Sequence, residues 1–392
     1  MKCLVVCGAL GQLSEPWLWR QVAGLKRLQP EVVCWRRENP ALFPTDTIPV
    51  HMLDLPMRPM DGPARWLFRL RNLPGGNFYG SVGSERAVLT KLVGASCPAV
   101  IFCHYGQFAL RVLPVAKRLQ IPLVAHFNGL DVSASLNTDR WYRWSLEKAL
   151  PTCAAVVVVA GHQERWMLEH GVARDRLHVI PYGVPVEACG LSASVARASC
   201  KFLAVGRFVA KKSPFATLRA FHVCSRVHAD VSLTMIGDGP LKDEAINLAR
   251  ELGVLGKVSF LPGQSNARVL EEMQRASVFV QHSVTAANGD MEGWPVAIGE
   301  AAACGLPIVA TRHGGIVQQV EHGETGYLVE EHDWEEMGRI MALLARNPEV
   351  RRRMGLAARQ RAVRMFDIRR QIDKLERVLE AAGSGVDQRI AS

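Results

Sequence analysis

No Cys-x-x-Cys pair occurs among the ten cysteines, which lie scattered at 3, 7, 34, 97, 103, 153, 189, 200, 224 and 304, mostly inside apolar runs. That pattern excludes zinc-finger spacing and reads as reduced, small core residues. Long hydrophobic runs are also missing. The nearest to one is "AAVVVVAG" at 154–161, far short of the roughly 20 residues a membrane-crossing helix needs. The start, "MKCLVVCGAL", is followed by "GQLSEP" where a secretory signal needs small residues, so it reads as a first buried strand and the protein is expected to stay in the cytosol. No basic run with interleaved aromatics stands at nucleic-acid-motif spacing, so no nucleic-acid partner is expected. No Asp-x-Asp metal clamp is present, and no metal site or bound cofactor is expected. Gly8 and Gly11 give only Gly-x-x-Gly after the first strand, not the Gly-x-Gly-x-x-Gly of dinucleotide binders, which weighs against a nicotinamide oxidoreductase.

Acids are the scarcer charge, 37 against 47 Lys plus Arg. Residues 1–190 hold 21 basic and 14 acidic side chains, a net charge of +7. A spread basic excess suits anionic partners such as phosphorylated metabolites or an acidic membrane surface.

The chain's 392 residues suffice for two domains. Short apolar runs alternate with helical patterns, the mark of a parallel sheet with crossover helices. The runs in the first half are "CLVVC", "EVVCW", "AVIFCH", "PLVAHF", "AAVVVVA" and "LHVIPY". The rhythm restarts with "KFLAVG", "VSLTMIG", "KVSFL", "SVFVQH", "PIVAT" and "GYLV". Two doubly wound α/β domains are therefore predicted, over 1–183 and 201–364. A Gly/Ser/Ala-rich linker at 184–200 would join them, and 365–392 would form a C-terminal helix that crosses back toward the first domain and ends in a frayed tail.

Ligands of such sheets bind beyond the carboxyl ends of the strands, so the loops there carry the functional signal. In "GDMEGWPVAIGEAAACGLPIVAT", Pro295 at a first helical position, Gly305 at a left-handed cap and Pro307 beyond it bracket a helix over 295–304. Glu292 then lies in the loop feeding the helix, while Glu300 lies inside it with its carboxylate leaning back toward the N-terminus. That helix mouth suits a diphosphate, and the acids suit sugar or ribose hydroxyls. The alternative makes Glu292 a solvated loop acid and Glu300 a surface residue. In "GRFVAKKSP", Arg207 and Lys212 stand together after a strand and before a helix capped by Ser213, fit to neutralise a leaving diphosphate; Lys211 is expected to face solvent. In "MIGDGPL", Gly237, Asp238 and Gly239 make a turn whose backbone can approach a flat ligand closely.

These segments, with "LSEPWLWRQVAGLKR", "HFNGLDVSAS", "VIPYGV" and "ETGYLV", resemble glycosyltransferase family 4, the GT-B-fold retaining enzymes that use nucleotide-diphosphate sugars. The likeness covers nearly the whole chain and is strongest to the bacterial branch that builds exopolysaccharide and other cell-surface glycans. It implies that Arg207 and Lys212 hold the donor diphosphate, Glu300 the ribose and Glu292 the donor sugar, with Gly293, Trp294, Pro295 and Val296 meeting phosphates and sugar through backbone. It implies an acceptor, glycan or lipid-linked, in the first domain near Gly11, His104, Asn128 and Asp131. His104 reads equally as an acceptor contact or a satisfied strand-end histidine, and Asp131 as a hydroxyl acceptor or a cap. Two positions depart from the family pattern: Asn128 stands where relatives often have histidine, and Gln318 where they often have glutamate.

"PARWLFRLRNL" at 63–73 mixes Arg65, Arg69 and Arg71 with apolar residues, either as a helix resting on an anionic membrane or as a core helix with snorkelling arginines. The expectation is thus a cytoplasmic transferase, peripheral on the inner membrane face in the first case. The alternatives are a non-catalytic nucleotide-sugar-binding partner and a GT-B epimerase or hydrolase.

Overall fold

The computed structural model describes residues 1–54 and 77–385. The "PARWLFRLRNL" segment lies outside the described residues. The chain forms two compact units, Met1–Pro181 with Gln371–Ser392, and Tyr182–Arg370.

The first unit is built on β1 (Lys2–Leu10), β2 (Gln29–Arg37), β3 (Val50–Met52), β4 (Val100–His104), β5 (Leu123–Phe127), β6 (Ala155–Val158) and β7 (Leu177–Val179). Among the described residues these strands lie in the order β3-β2-β1-β4-β5-β6-β7, and all pairs are parallel. Parallel strands are covered by helices on both faces, which is why their sequences run continuously apolar rather than alternating. Leu4, Val5, Val100, Ile101, Phe102 and Val124 are all fully buried. The helix Ile368–Ser384 returns to this unit. Arg27 donates to Asp373 Oδ1 at 2.6 Å, and its backbone N–H to Glu376 Oε1 at 2.7 Å.

The second unit carries β8 (Cys200–Val205), β9 (Val231–Ile236), β10 (Val258–Leu261), β11 (Val278–Gln281), β12 (Ile308–Thr311) and β13 (Gly326–Val329) in the order β10-β9-β8-β11-β12-β13, again all parallel. β8 has β9 on one side and β11 on the other, so chain direction across the sheet reverses beside it. In doubly wound sheets that switch point opens a crevice at the strands' carboxyl ends. Helices Pro214–Val227 and Trp334–Arg346 cover one face, with Leu218, Phe221, Met337, Met341 and Leu344 buried in the core.

Residues 184–200, expected as a linker, are fastened to this second unit. Arg359 donates to Val186 O and Cys189 O at 2.9 Å each, and Arg351, itself fully buried, donates to Val195 O at 2.9 Å. All twelve apolar runs form strands, as the doubly wound α/β reading requires; β3 is an addition. All ten cysteines are free thiols, and only Cys97 is exposed. Among the described residues no helix is long and apolar enough to cross a membrane.

Candidate active site

The basic loop leaves β8 at Gly206, turns through a single 3-10 turn at Ala210–Lys212 and enters the helix Pro214–Val227. Ser213 stands at the N-cap but its side chain makes no capping bond; its φ of 38° instead turns the chain through the left-handed region. The Lys212 stem lies across Gly206, where an added Cβ would come within 3.3 Å of Cε. A cavity opens here, lined by Gly206, Arg207, Lys212, Met235, Val280 and Gln281 among others, at the ends of β8, β9 and β11. Arg207 and Lys212 thus share one cavity at the switch point. Arg207 is exposed, with no ion pair among the described residues, and Lys212 is largely covered.

Lys212 Nζ lies 3.2 Å from Glu292 Oε2. Both acids of the pair are buried, Glu292 at 6% and Glu300 at 3% exposure, which rules out the reading of them as solvated surface acids. Burial pushes the Glu292 carboxyl up, but Lys212 and Lys211 outweigh it and hold the group below the usual carboxylate range. Burial lowers Lys212, Glu292 raises it, and the neighbouring Lys211 and Arg207 add to the lowering. Among the described residues, Lys211 and Lys212 stand against Glu292 and Asp290, and Arg207 adds a third cation beside Lys212. A partly desolvated site with surplus positive charge is built to take an anion.

Lys211 does not face solvent, contrary to the sequence reading. It is 8% exposed, and its Nζ donates to Asp290 Oδ1 at 3.0 Å and Met291 O at 3.3 Å. Two further residues, His313 and Glu331, escaped the sequence reading. The Glu292 N–H donates to His313 Nε2 at 3.0 Å, so His313 carries its proton on Nδ1 and gives it to Glu331 Oε1 at 2.6 Å. Glu331 also accepts the Thr285 N–H at 2.8 Å, fixing the same loop a second time. Gly314, at φ 47°, completes this cradle: a Cβ there would meet Glu292 O at 2.1 Å.

The helix runs Val296–Ala303, so Pro295 is its N-cap rather than its first residue; Gly305 adopts the expected left-handed φ, at 74°. Trp294 is buried edge-on against Phe366, 5.4 Å between centroids, which commits its ring to the core and leaves Gly293 to Val296 able to act only through backbone at that residue. Glu300 Oε1 accepts from Asn266 Nδ2 at 2.8 Å, a contact to the first residue of the helix Asn266–Arg275 rather than to Glu292.

Gly237 and Gly239, at φ 147° and 154°, are required by the close approach of the protein's own backbone. A Cβ would lie 2.1 Å from Gly206 O at the first and 2.4 Å from Phe208 O at the second. The two loops touch backbone to backbone, and this contact seats the basic loop. The exposed Asp238 ties the turn down through Gly263 N–H at 2.6 Å and Lys242 Nζ at 2.8 Å. Gly237→Ala is expected to destabilise the protein by about 1–3 kcal/mol, read as a lowered denaturant midpoint.

In the first unit, Gly11 has φ 91° and packs on Glu38 O. His104 and His126 face each other across the β4–β5 register with Nδ1 atoms 3.2 Å apart. Both are fully buried, and burial drives His104 well below its ordinary value and His126 down to about 3, so both are neutral. His104 is a packed ring, its centroid 5.5 Å from Trp17 and 4.6 Å from Phe102, rather than an exposed contact. Asp131 staples two strand-end loops: Oδ2 accepts the Asn128 N–H at 2.9 Å and Oδ1 the Gly106 N–H at 3.0 Å. Burial pushes its carboxyl up to about 7 despite these donors. An acid with a raised folded-state value binds its proton more tightly when folded. Its contribution is therefore full below the ordinary 3.8 and lost as pH rises toward 7. Asp131→Asn should flatten that part of the stability–pH curve and cost about 1–3 kcal/mol at pH 5, because the amide nitrogen cannot accept the second backbone N–H.

A doubly wound α/β unit with a cation cluster beside a buried carboxylate at its switch point is the class of site at which such sheets bind nucleotides. The comparisons agree with that class. Residues 17–188 match Glycosyltransferase Family 4, and residues 198–361 match Glycosyl transferases group 1. The chain is 30% identical over 310 residues to the amylovoran biosynthesis glycosyltransferase AmsK of Erwinia amylovora, covering 76% of this chain and 74% of that one. It is 30% identical over 238 residues to the putative colanic acid biosynthesis glycosyltransferase WcaL of Escherichia coli K12, covering 60% of this chain and 58% of that one. Among solved structures it resembles Anabaena Alr3699/HepE, crystallised with UDP-glucose, at a TM-score of 0.77 and 18% identity over 97% of this chain and 100% of that one. The fold is that of the GT-B glycosyltransferases, and the chain belongs to glycosyltransferase family 4.

Proposed function

We propose that this protein is a retaining glycosyltransferase that moves a sugar from a nucleotide-diphosphate sugar to a glycan or lipid-linked acceptor in cell-surface polysaccharide synthesis. The observation that carries this reading is the cavity at the end of β8, where Arg207 and Lys212 are held together and Lys212 is paired with the buried Glu292. Arg207 supplies a planar fork for a phosphate and Lys212 a compact charge. Glu300 takes a ribose hydroxyl, Glu292 a hydroxyl of the donor sugar, and the backbone of Gly293 to Val296 the phosphates. Glu292 Oε1 supports that assignment, being buried without a hydrogen-bond donor among the described residues.

The acceptor oxygen forms its bond to the anomeric carbon on the face from which the diphosphate leaves. The carbon–oxygen bond to phosphate breaks, and a phosphate oxygen takes the acceptor's proton. The protein's part is to stabilise the departing charge and hold the two substrates in line. The relatives' names, glycosyltransferases of amylovoran and of colanic acid biosynthesis, support the acceptor class. The reading also places the work on the cytoplasmic side, at or near an anionic membrane surface. It is tested by screening nucleotide sugars for thermal stabilisation, then measuring nucleoside diphosphate release with lipid-linked acceptors. Release coupled to a new glycosidic bond supports it; release of free sugar alone, or no binding of any nucleotide sugar, contradicts it.

A further inference from the structure

Two lysines flank Glu292, and the reading above employs only one of them. Lys212 and Glu292 neutralise each other at 3.2 Å, so a diphosphate that takes Lys212 removes the principal counter-charge of a buried carboxylate. Such a carboxylate is costly unless another cation stays beside it. Lys211 Nζ stands 3.9 Å from Glu292 Oε1, the oxygen that lacks a donor. Lys211 also fixes the loop that carries Glu292 at three points. Its carbonyl accepts the Val284 N–H at 2.9 Å, and its ammonium donates to Asp290 Oδ1 at 3.0 Å and Met291 O at 3.3 Å.

We propose that Lys211 is a positioning residue of the transfer site: it holds the 284–292 loop in register and keeps a positive charge beside Glu292 when Lys212 passes to a donor phosphate. The inference rests on the donor-site reading above and adds a residue to it. The two lysines then divide the work, Lys212 on the ligand and Lys211 on the protein. The 3-10 turn at Ala210–Lys212 allows this, directing both neighbouring side chains toward the acids. The titratable groups facing Glu292 are Lys211 and Lys212 from the basic loop and, from the loop after β12, the His313 ring that accepts the Glu292 N–H; Asp290 holds Lys211, and Arg207 acts on Lys212.

The test compares wild type with Lys211→Met, Lys211→Arg and Asp290→Asn. With the nucleotide sugar that wild type accepts, Lys211→Met should lower kcat about 10²-fold, as a misplaced group does, and should weaken the Kd for free nucleoside diphosphate more than about threefold, because Glu292 then has no second cation when Lys212 passes to the ligand. Lys211→Arg should recover most of kcat. In the ligand-free protein labelled with carboxyl-13C glutamate, with the Glu292 resonance assigned by its loss in Glu292→Gln, the Glu292 titration midpoint should rise in Lys211→Met. In Asp290→Asn it should fall, because Lys211 then serves Glu292 alone; this arm stands even where Lys211→Met does not fold. A midpoint unmoved in both variants, or full kcat in Lys211→Met, overturns the proposal. If wild type binds no nucleoside diphosphate, the donor-site reading fails while the titration still decides the role of Lys211.

Discussion

Arg207→Ala is expected to lower kcat/KM for sugar transfer by about 10²–10³-fold, equivalent to about 2.7–4 kcal/mol of barrier. The guanidinium is exposed at the cavity rim and ties down no other part of the described protein, so its loss should leave the fold intact. Its cost falls on the leaving group, whose charge grows as the anomeric bond breaks. Unchanged melting temperature with a collapsed rate is the expected pair of results, measured by calorimetry and by nucleoside diphosphate release. A rate within fivefold of wild type would remove Arg207 from the diphosphate grip.

Glu292→Gln has the second large effect, and its two consequences run in opposite directions. Transfer should fall about 10²-fold, because the neutral amide no longer accepts a sugar hydroxyl as a carboxylate does. The ligand-free protein should lose about 3 kcal/mol, the low end for breaking a buried pair, since Lys212 retains some solvent contact. Nucleoside diphosphate should nevertheless bind more tightly than to wild type, because Glu292 no longer competes for Lys212. Ligand-induced stabilisation would then be larger in the variant than in wild type. Weaker diphosphate binding in Glu292→Gln would mean that the acid only scaffolds the loop.

The sheets were legible because parallel strands buried on both faces leave uninterrupted apolar runs. β3 was not, since Val50–Met52 is three residues long, lies at the sheet edge and exposes Met52. The spacing of Arg207, Lys212, Glu292 and Glu300 was visible, as was the helix between Pro295 and Gly305. The direction of Lys211 was hidden, because it depends on a 3-10 turn and on the φ of Ser213, neither of which the residues Lys-Lys-Ser announce. His313 and Glu331 lie eighteen positions apart and carry no local signal. Their meeting follows from register: Thr311 pairs with Val329 across β12 and β13, so the residues two beyond each come together. The same logic joins His104 to His126 across β4 and β5. Gly237 and Gly239 were recognised as close-approach glycines, but what approaches them is the protein's own backbone, which only the folded loops reveal.

On donor binding, Lys212 is proposed to exchange a protein carboxylate for a ligand diphosphate. Titration calorimetry of uridine and guanosine diphosphates into wild type and Lys212→Met, at low and moderate salt, tests it most directly. Binding to wild type should be saturable and weaken with salt, and Lys212→Met should lose at least tenfold in affinity, about 1.4 kcal/mol or more. Equal affinity in the two proteins would contradict it.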